Sequence, residues 1–218
     1  MGLGPKQIFD SGLRNVLRGR GIEHDSESVL LESEYPMEIS AAFQLSRTVA
    51  ERVSECSRKG RFPVVLSGNC NAAVGTVSGC GAGETGIAWF DAHGEATTPE
   101  TMVSGFLDGM GISTLLGYAW QTLAKSVPGF TPVPGNRIVL FGARDLEPAE
   151  RTLLESAGVR QAATVRQLAK HVAVLTKEVK QIYLHLDLDV LDPTVAKANQ
   201  WTPPNGITIA GGSHHGDS

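Results

Sequence analysis

The chain has 218 residues, 41% of them apolar and 19% charged, with a net charge of -4. That is enough to bury one sizeable core, and the mild acidity offers no electrostatic ground for a nucleic acid or an anionic membrane as partner. No apolar run approaches the roughly 18–20 residues of a membrane span, residues 1–6 lack the basic-then-apolar order of an export signal, and three cysteines without a CxxC pair fit a reducing cytoplasm. In chain order, the first helix is expected over residues 38–59, where Ile39, Phe43, Leu45, Val49 and Val53 recur at largely helical spacing. Strands are expected over 62–66, 86–90, 137–141 and 181–188. The last is almost continuously apolar, as for a strand covered on both faces. Helices are expected over 148–157, opening on Pro148 and closing at Gly158, and over 164–179, with Thr164 as N-cap. The Gly/Pro-rich stretch 127–135 reads as a surface loop.

Strands alternating with helices imply βαβ units, hence a three-layer α/β/α domain with a mostly parallel sheet, spanning residues 1–218 as one unit. In such sheets a ligand sits beyond the C-terminal strand ends. Two acidic segments fall where strands run out: Asp91-Ala92-His93-Gly94-Glu95 and Asp187-Leu188-Asp189-Val190-Leu191-Asp192-Pro193. In extended chain, residues two apart point the same way, so Asp91, His93 and Glu95 face one site, as do Asp187 and Asp189. Carboxylates so placed repel unless a cation lies between them, which points to hard divalent metal ions, two in number. The alternative for the first segment is a capped turn with solvated acids. For the second it is a basic partner, and none is near in sequence. His185 reads as a hydrogen-bonded core histidine and Asp192-Pro193 as a turn. A third segment, Ser67-Gly68-Asn69-Cys70-Asn71, brings Cys70 to the same sheet edge as a soft metal ligand, a nucleophile or a small buried hydrophobe.

Taken with Ser104-Gly105-Phe106-Leu107-Asp108-Gly109 and Phe141-Gly142-Ala143-Arg144-Asp145, these motifs resemble, in order and spacing, the arginase/agmatinase (ureohydrolase) family. The likeness runs from about residue 4 to about residue 212. It implies two manganese ions bridged by a hydroxide that attacks a guanidinium or amidine carbon; the cysteine usage points to the cytoplasm and an open C-terminal sheet edge to a homo-oligomer. Asp91 and Asp187 match bridging carboxylates, and His93 and Asp189 match ligands of one ion. Glu95 matches a ligand of the other and the acceptor of the water's proton. Cys70 stands where the family has a histidine ligand, so that position is expected to be weak, empty or suited to another ion. Glu95 replaces an aspartate. Asp108 stands where arginases carry a histidine that handles substrate and leaving group, Thr97 where they carry an asparagine for the substrate carboxylate, and Ser104 matches a substrate-binding serine. Arginine is therefore not carried over as substrate. The Asn-Cys-Asn turn resembles an arginase-like bacterial branch.

The apolar run from Ile207 has no helix after it, and the family's further segment supplies a glutamate for the guanidinium and a last strand, so the fold is expected to be C-terminally shortened with an open sheet edge. Three functions follow: a metal-dependent hydrolase of a linear C–N bond in a guanidino or amidine compound, a catalytically weakened homologue keeping fold and partial metal binding, or a cysteine hydrolase with Cys70 as nucleophile and His93 as base. The last gives the aspartates no task.

Overall fold

The computed structural model describes residues 3–103 and 105–208. After short helical turns over residues 4–19, the first long helix is α1 (Glu38–Arg58), followed by α2 (Ala72–Cys80). The two pack closely because α2 offers glycines to α1: a Cβ at Gly75 or Gly79 would run into the Ser46 and Ala50 carbonyls. Then come β1 (Thr85–Phe90), β2 (Ile138–Phe141), α3 (Pro148–Ser156), β3 (Arg160–Ala162), α4 (Val165–Glu178) and β4 (Gln181–Leu186).

The four strands form one parallel sheet in the order β3-β2-β1-β4. Residues alternate across it. Ile87 and Trp89 of β1 and Ile138 and Leu140 of β2 join one core cluster with Phe43, Ala50, Val74 and Val77 of the two helices on that face. Gly86 meets the other face, where a Cβ would lie 2.7 Å from Leu175 of α4. Register pairs Ile87 with Tyr183 and Trp89 with His185, so Tyr183, His185 and the following Asp187 continue the α1/α2 face. The helices thus lie on both sides of a parallel sheet, as the alternating pattern implies.

Helix expectations hold to within a residue or two. Thr164 caps α4, its hydroxyl accepting from the Gln167 amide while Gln167 reaches back to the Thr164 amide. The 127–135 stretch is a loop pinned by buried Val127 and Val133.

Two strand expectations need correction. Residues 62–66 pair with no strand among the described residues, and Phe62 and Val64 stand 88% and 71% exposed. β4 is not covered on both faces: it is an edge strand, and Leu184 and Leu186 on its α4-side face are 61% and 57% exposed. Among the described residues no helix lies over that face, so the apolar run does not reflect deep burial. Ile207 makes a single parallel bridge to Leu191, and the residues after Thr208 lie outside those described.

Candidate metal centre

β1 and β4 run side by side and end together, which places Asp91 and Asp187 next to each other at the sheet's C-terminal edge. The Asp187 amide donates to Phe90 O at 2.9 Å and the Asp91 amide to Phe141 O at 3.1 Å, extending the ladder to both residues. Asp91 is fully buried. Its Oδ2 accepts from the Trp89 indole at 2.9 Å and its Oδ1 from the His93 amide at 2.8 Å. Asp187 Oδ1 accepts from the Asp189 amide at 2.8 Å, opening the turn Leu188–Val190 that swings Asp189 across toward β1. Asp189 Oδ1 then accepts from the Ala92 amide and Oδ2 from the Asn199 side-chain amide, both at 3.1 Å.

His93 lies between two of these acids, with Nδ1 3.4 Å from Asp91 Oδ1 and 3.2 Å from Asp189 Oδ2. Hydrogen bonds to Asp189 and Asp91 lift its pKa to about 10, against the opposing effect of burial. Burial pushes Asp189 up, but the bonds from His93, Ala92 and Asn199 outweigh it and hold the group at about 2.

Glu95 does not follow the extended alternation expected from its spacing. Its φ is +50°, in the left-handed region that non-glycine residues seldom adopt. The turn sends its carboxylate away from His93 and into a second group with Cys70 and Asp108, ligand atoms of all three lying within 4.8 Å of one another. Asp108 Oδ1 accepts from the Cys70 amide at 2.7 Å. The Cys70 thiol donates to Asp187 Oδ2 at 3.3 Å and lies 3.8 Å from Asp91 Oδ2. Burial, reinforced by neighbouring negative charge, raises Glu95 and Cys70 well above their ordinary values and puts Asp108 and Asp187 at about 6.

Of the residues assigned to substrate, Thr97 lies on the same edge, but its hydroxyl donates to Gly109 O at 2.6 Å. Ser104 lies outside the described residues. Asp192 forms the expected turn, accepting from the Thr194 and Gly206 amides.

Sequence reasoning missed three contributors. Arg144 holds the 187–192 and 203–204 segments together, donating to the carbonyls of Asp189, Val190, Pro203 and Pro204. Glu150 accepts from the Ala96 amide at 2.9 Å and the Glu147 amide at 3.0 Å, tying the turn after Glu95 to the start of α3. Asn199 holds Asp189 from a region without pattern. His185 is the buried, hydrogen-bonded histidine expected, and it also borders the site: a ring nitrogen, Cys70 Sγ and an Asp91 oxygen are mutually within 4.8 Å. Its signal was the period-two register that puts residues 183, 185 and 187 on one face.

A family model described as the arginase family matches residues 2–213. The chain belongs to the arginase family. It is 32% identical over 192 residues to an arginase of Brevibacillus brevis, covering 83% of this chain and 62% of that one. An arginase of Bacillus caldovelox is 29% identical over 191 residues with the same coverage. The chain therefore spans about three fifths of the length of these curated arginases. Among solved structures, Bacillus subtilis arginase superposes with a TM-score of 0.82 at 26% identity, covering 94% of this chain and 74% of the other. Membership of the arginase family agrees with the motif order and the parallel sheet.

Proposed function

We propose that the chain hydrolyses a linear C–N bond in a guanidino or amidine compound with the help of two divalent ions, at least one of them manganese. The observation that carries this reading is the convergence of Asp91, Glu95, Asp108, Asp187 and Asp189 on one sheet edge, where His93 is the sole cationic side chain paired with them among the described residues. Buried Glu95 Oε2 has no hydrogen-bond partner among the described residues. Such a cluster is costly without added positive charge, so its donor set fits divalent cations.

Asp91 lies with His93 and Asp189 on one side and with Cys70 and His185 on the other, so it would contribute to both positions. His93 and Asp189 would complete one position and Cys70 the other, with Asp187 and Glu95 beside it. When bound, the ions would polarise the substrate and bring a water's pKa near neutrality. Glu95 Oε2 would take that water's proton. Asp108, through the Cys70 amide, fixes the 69–71 turn that brings the thiol to the carboxylates. Because the Thr97 hydroxyl is committed to Gly109, it leaves the substrate's distal end to be held by other groups, which supports a substrate other than arginine.

The test is elemental analysis after manganese loading, with urea or ammonia release measured across a panel of guanidino and amidine compounds. About two ions per chain are expected, falling below one in Asp187→Ala. A loaded protein with no bound ion would refute the reading. Bound ions without turnover on any compound would leave the weakened homologue instead.

A further inference from the structure

Cys70 and His185 meet at the inner side of the carboxylate cluster, and neither is explained by a site made for manganese alone. The His185 ring is clamped. It stacks on Trp89 with centroids 3.7 Å apart and planes 12° from parallel, and its Nδ1 lies 2.9 Å from Tyr183 Oη. The clamp fixes the ring's plane and leaves Nε2 as the nitrogen that Tyr183 does not engage. Histidines that bind metals commonly give their other ring N–H to an oxygen, and Tyr183 Oη stands in that place.

The spacing of the donors decides what they can hold. A tetrahedral ion with a metal–sulfur bond of about 2.3 Å and a metal–oxygen bond of about 2.0 Å sets sulfur and oxygen about 3.5 Å apart. Cys70 Sγ is 3.3 Å from Asp187 Oδ2 and 3.8 Å from Asp91 Oδ2, on either side of that value. An independent observation lies beside the thiol: Glu95 is buried, its Oε2 has no partner among the described residues, and its carboxylate is within ligand range of Cys70.

We propose that Cys70, His185 and Asp91, with Asp187 beside them, form an inner sulfur–nitrogen–oxygen metal position selective for zinc over manganese, while Asp91, His93 and Asp189 keep an oxygen-rich outer position for manganese. This rests on reading the site as one for two ions. Thiolate and imidazole favour zinc, and manganese is the weakest binder of the divalent first-row series at such donors. As the metal–sulfur bond forms, the thiol proton leaves to solvent, as thiol ligands require. The outer position has no sulfur, and its donors are two carboxylates and one imidazole.

Zinc K-edge X-ray absorption tests this on the full chain, stripped with chelator and loaded with one equivalent of zinc. The expected spectrum has one sulfur neighbour at about 2.3 Å and nitrogen or oxygen neighbours at about 2.0 Å. The sulfur shell should vanish in Cys70→Ser. Imidazole scattering should persist in His93→Asn and vanish in His185→Gln, with zinc affinity at least about tenfold weaker. Should His185→Gln fail to fold, the wild-type and His93→Asn spectra still decide. A wild-type shell of nitrogen and oxygen only, or a sulfur shell without imidazole in His93→Asn, would overturn the proposal and leave a two-ion site standing. Failure to bind either zinc or manganese would overturn both.

Discussion

Asp108 and Asp187 have an ordinary pKa of 3.8 and stand at about 6, chiefly through burial. The folded, ion-free chain therefore binds protons between pH 4 and 6 that the unfolded chain has released. That stabilisation is complete below about pH 4 and lost as the pH rises through 6. His93 acts in the same direction: raised from 6.5 to about 10, it stabilises fully below 6.5 and loses that contribution as the pH rises toward 10. Without ions the chain should thus weaken steadily from pH 5 to pH 9. A divalent ion replaces those protons and binds more tightly as the pH rises, stabilising the folded state by mass action. Saturating manganese is therefore expected to raise the thermal midpoint by several degrees more at pH 8 than at pH 5.5, relative to chelator-treated protein. Equal shifts at the two pH values would contradict this account. At this scale the sequence anticipated that Asp91, His93, Asp187 and Asp189 share one edge, because each sits within three residues of a strand end. It was a poor guide to Glu95, whose direction is set by a positive φ that tertiary bonds through Ala96 and Glu150 support.

Helix α4 shows how the elements hold that edge in place. Leu175 is its one fully buried side chain among the described residues, seated where Gly86 of β1 leaves room. Replacing Leu175 by alanine removes the contact between helix and strand and leaves a void against a glycine that cannot fill it. A loss of about 3 kcal/mol in denaturant unfolding is expected, and a loss under 1 kcal/mol would show that α4 is anchored elsewhere. The elements themselves were largely legible, since caps and turns write local signals: Thr164 with Gln167, Glu147 with Glu150, and Gly158 with φ +75°. Residues 62–66 were not. Their β-branched, apolar composition describes a strand correctly at the level of propensity, but a strand exists through its neighbours. Beside this segment no described residue supplies a ladder. The continuous apolar pattern of β4 misled for a related reason, because apolar sequence records the surface a strand offers, not whether anything covers it.

Across the whole molecule, that uncovered surface is the feature most open to test. β4 lies at the end of the order β3-β2-β1-β4, so its outer backbone groups pair with no described strand. Its residues, Gln-Ile-Tyr-Leu-His-Leu, include no lysine, arginine, acid or proline, the usual means by which an edge discourages pairing with another chain. Leu184 and Leu186 add an apolar face at the same place. A second copy presents the same edge, and a twofold axis through β4 would join two such edges in antiparallel pairing while burying the leucines of both. Self-association through β4 is therefore expected at tens of micromolar protein in sedimentation analysis. Leu184→Lys puts a charge on that face at a solvent-exposed position, so it should weaken association by at least about tenfold without loss of thermal stability. A wild-type chain that sediments as a monomer at that concentration, or a Leu184→Lys variant that associates as tightly, would show that β4 does not mediate it. Metal content should be the same in both forms, because Leu184 points away from the face that carries His185 and Asp187.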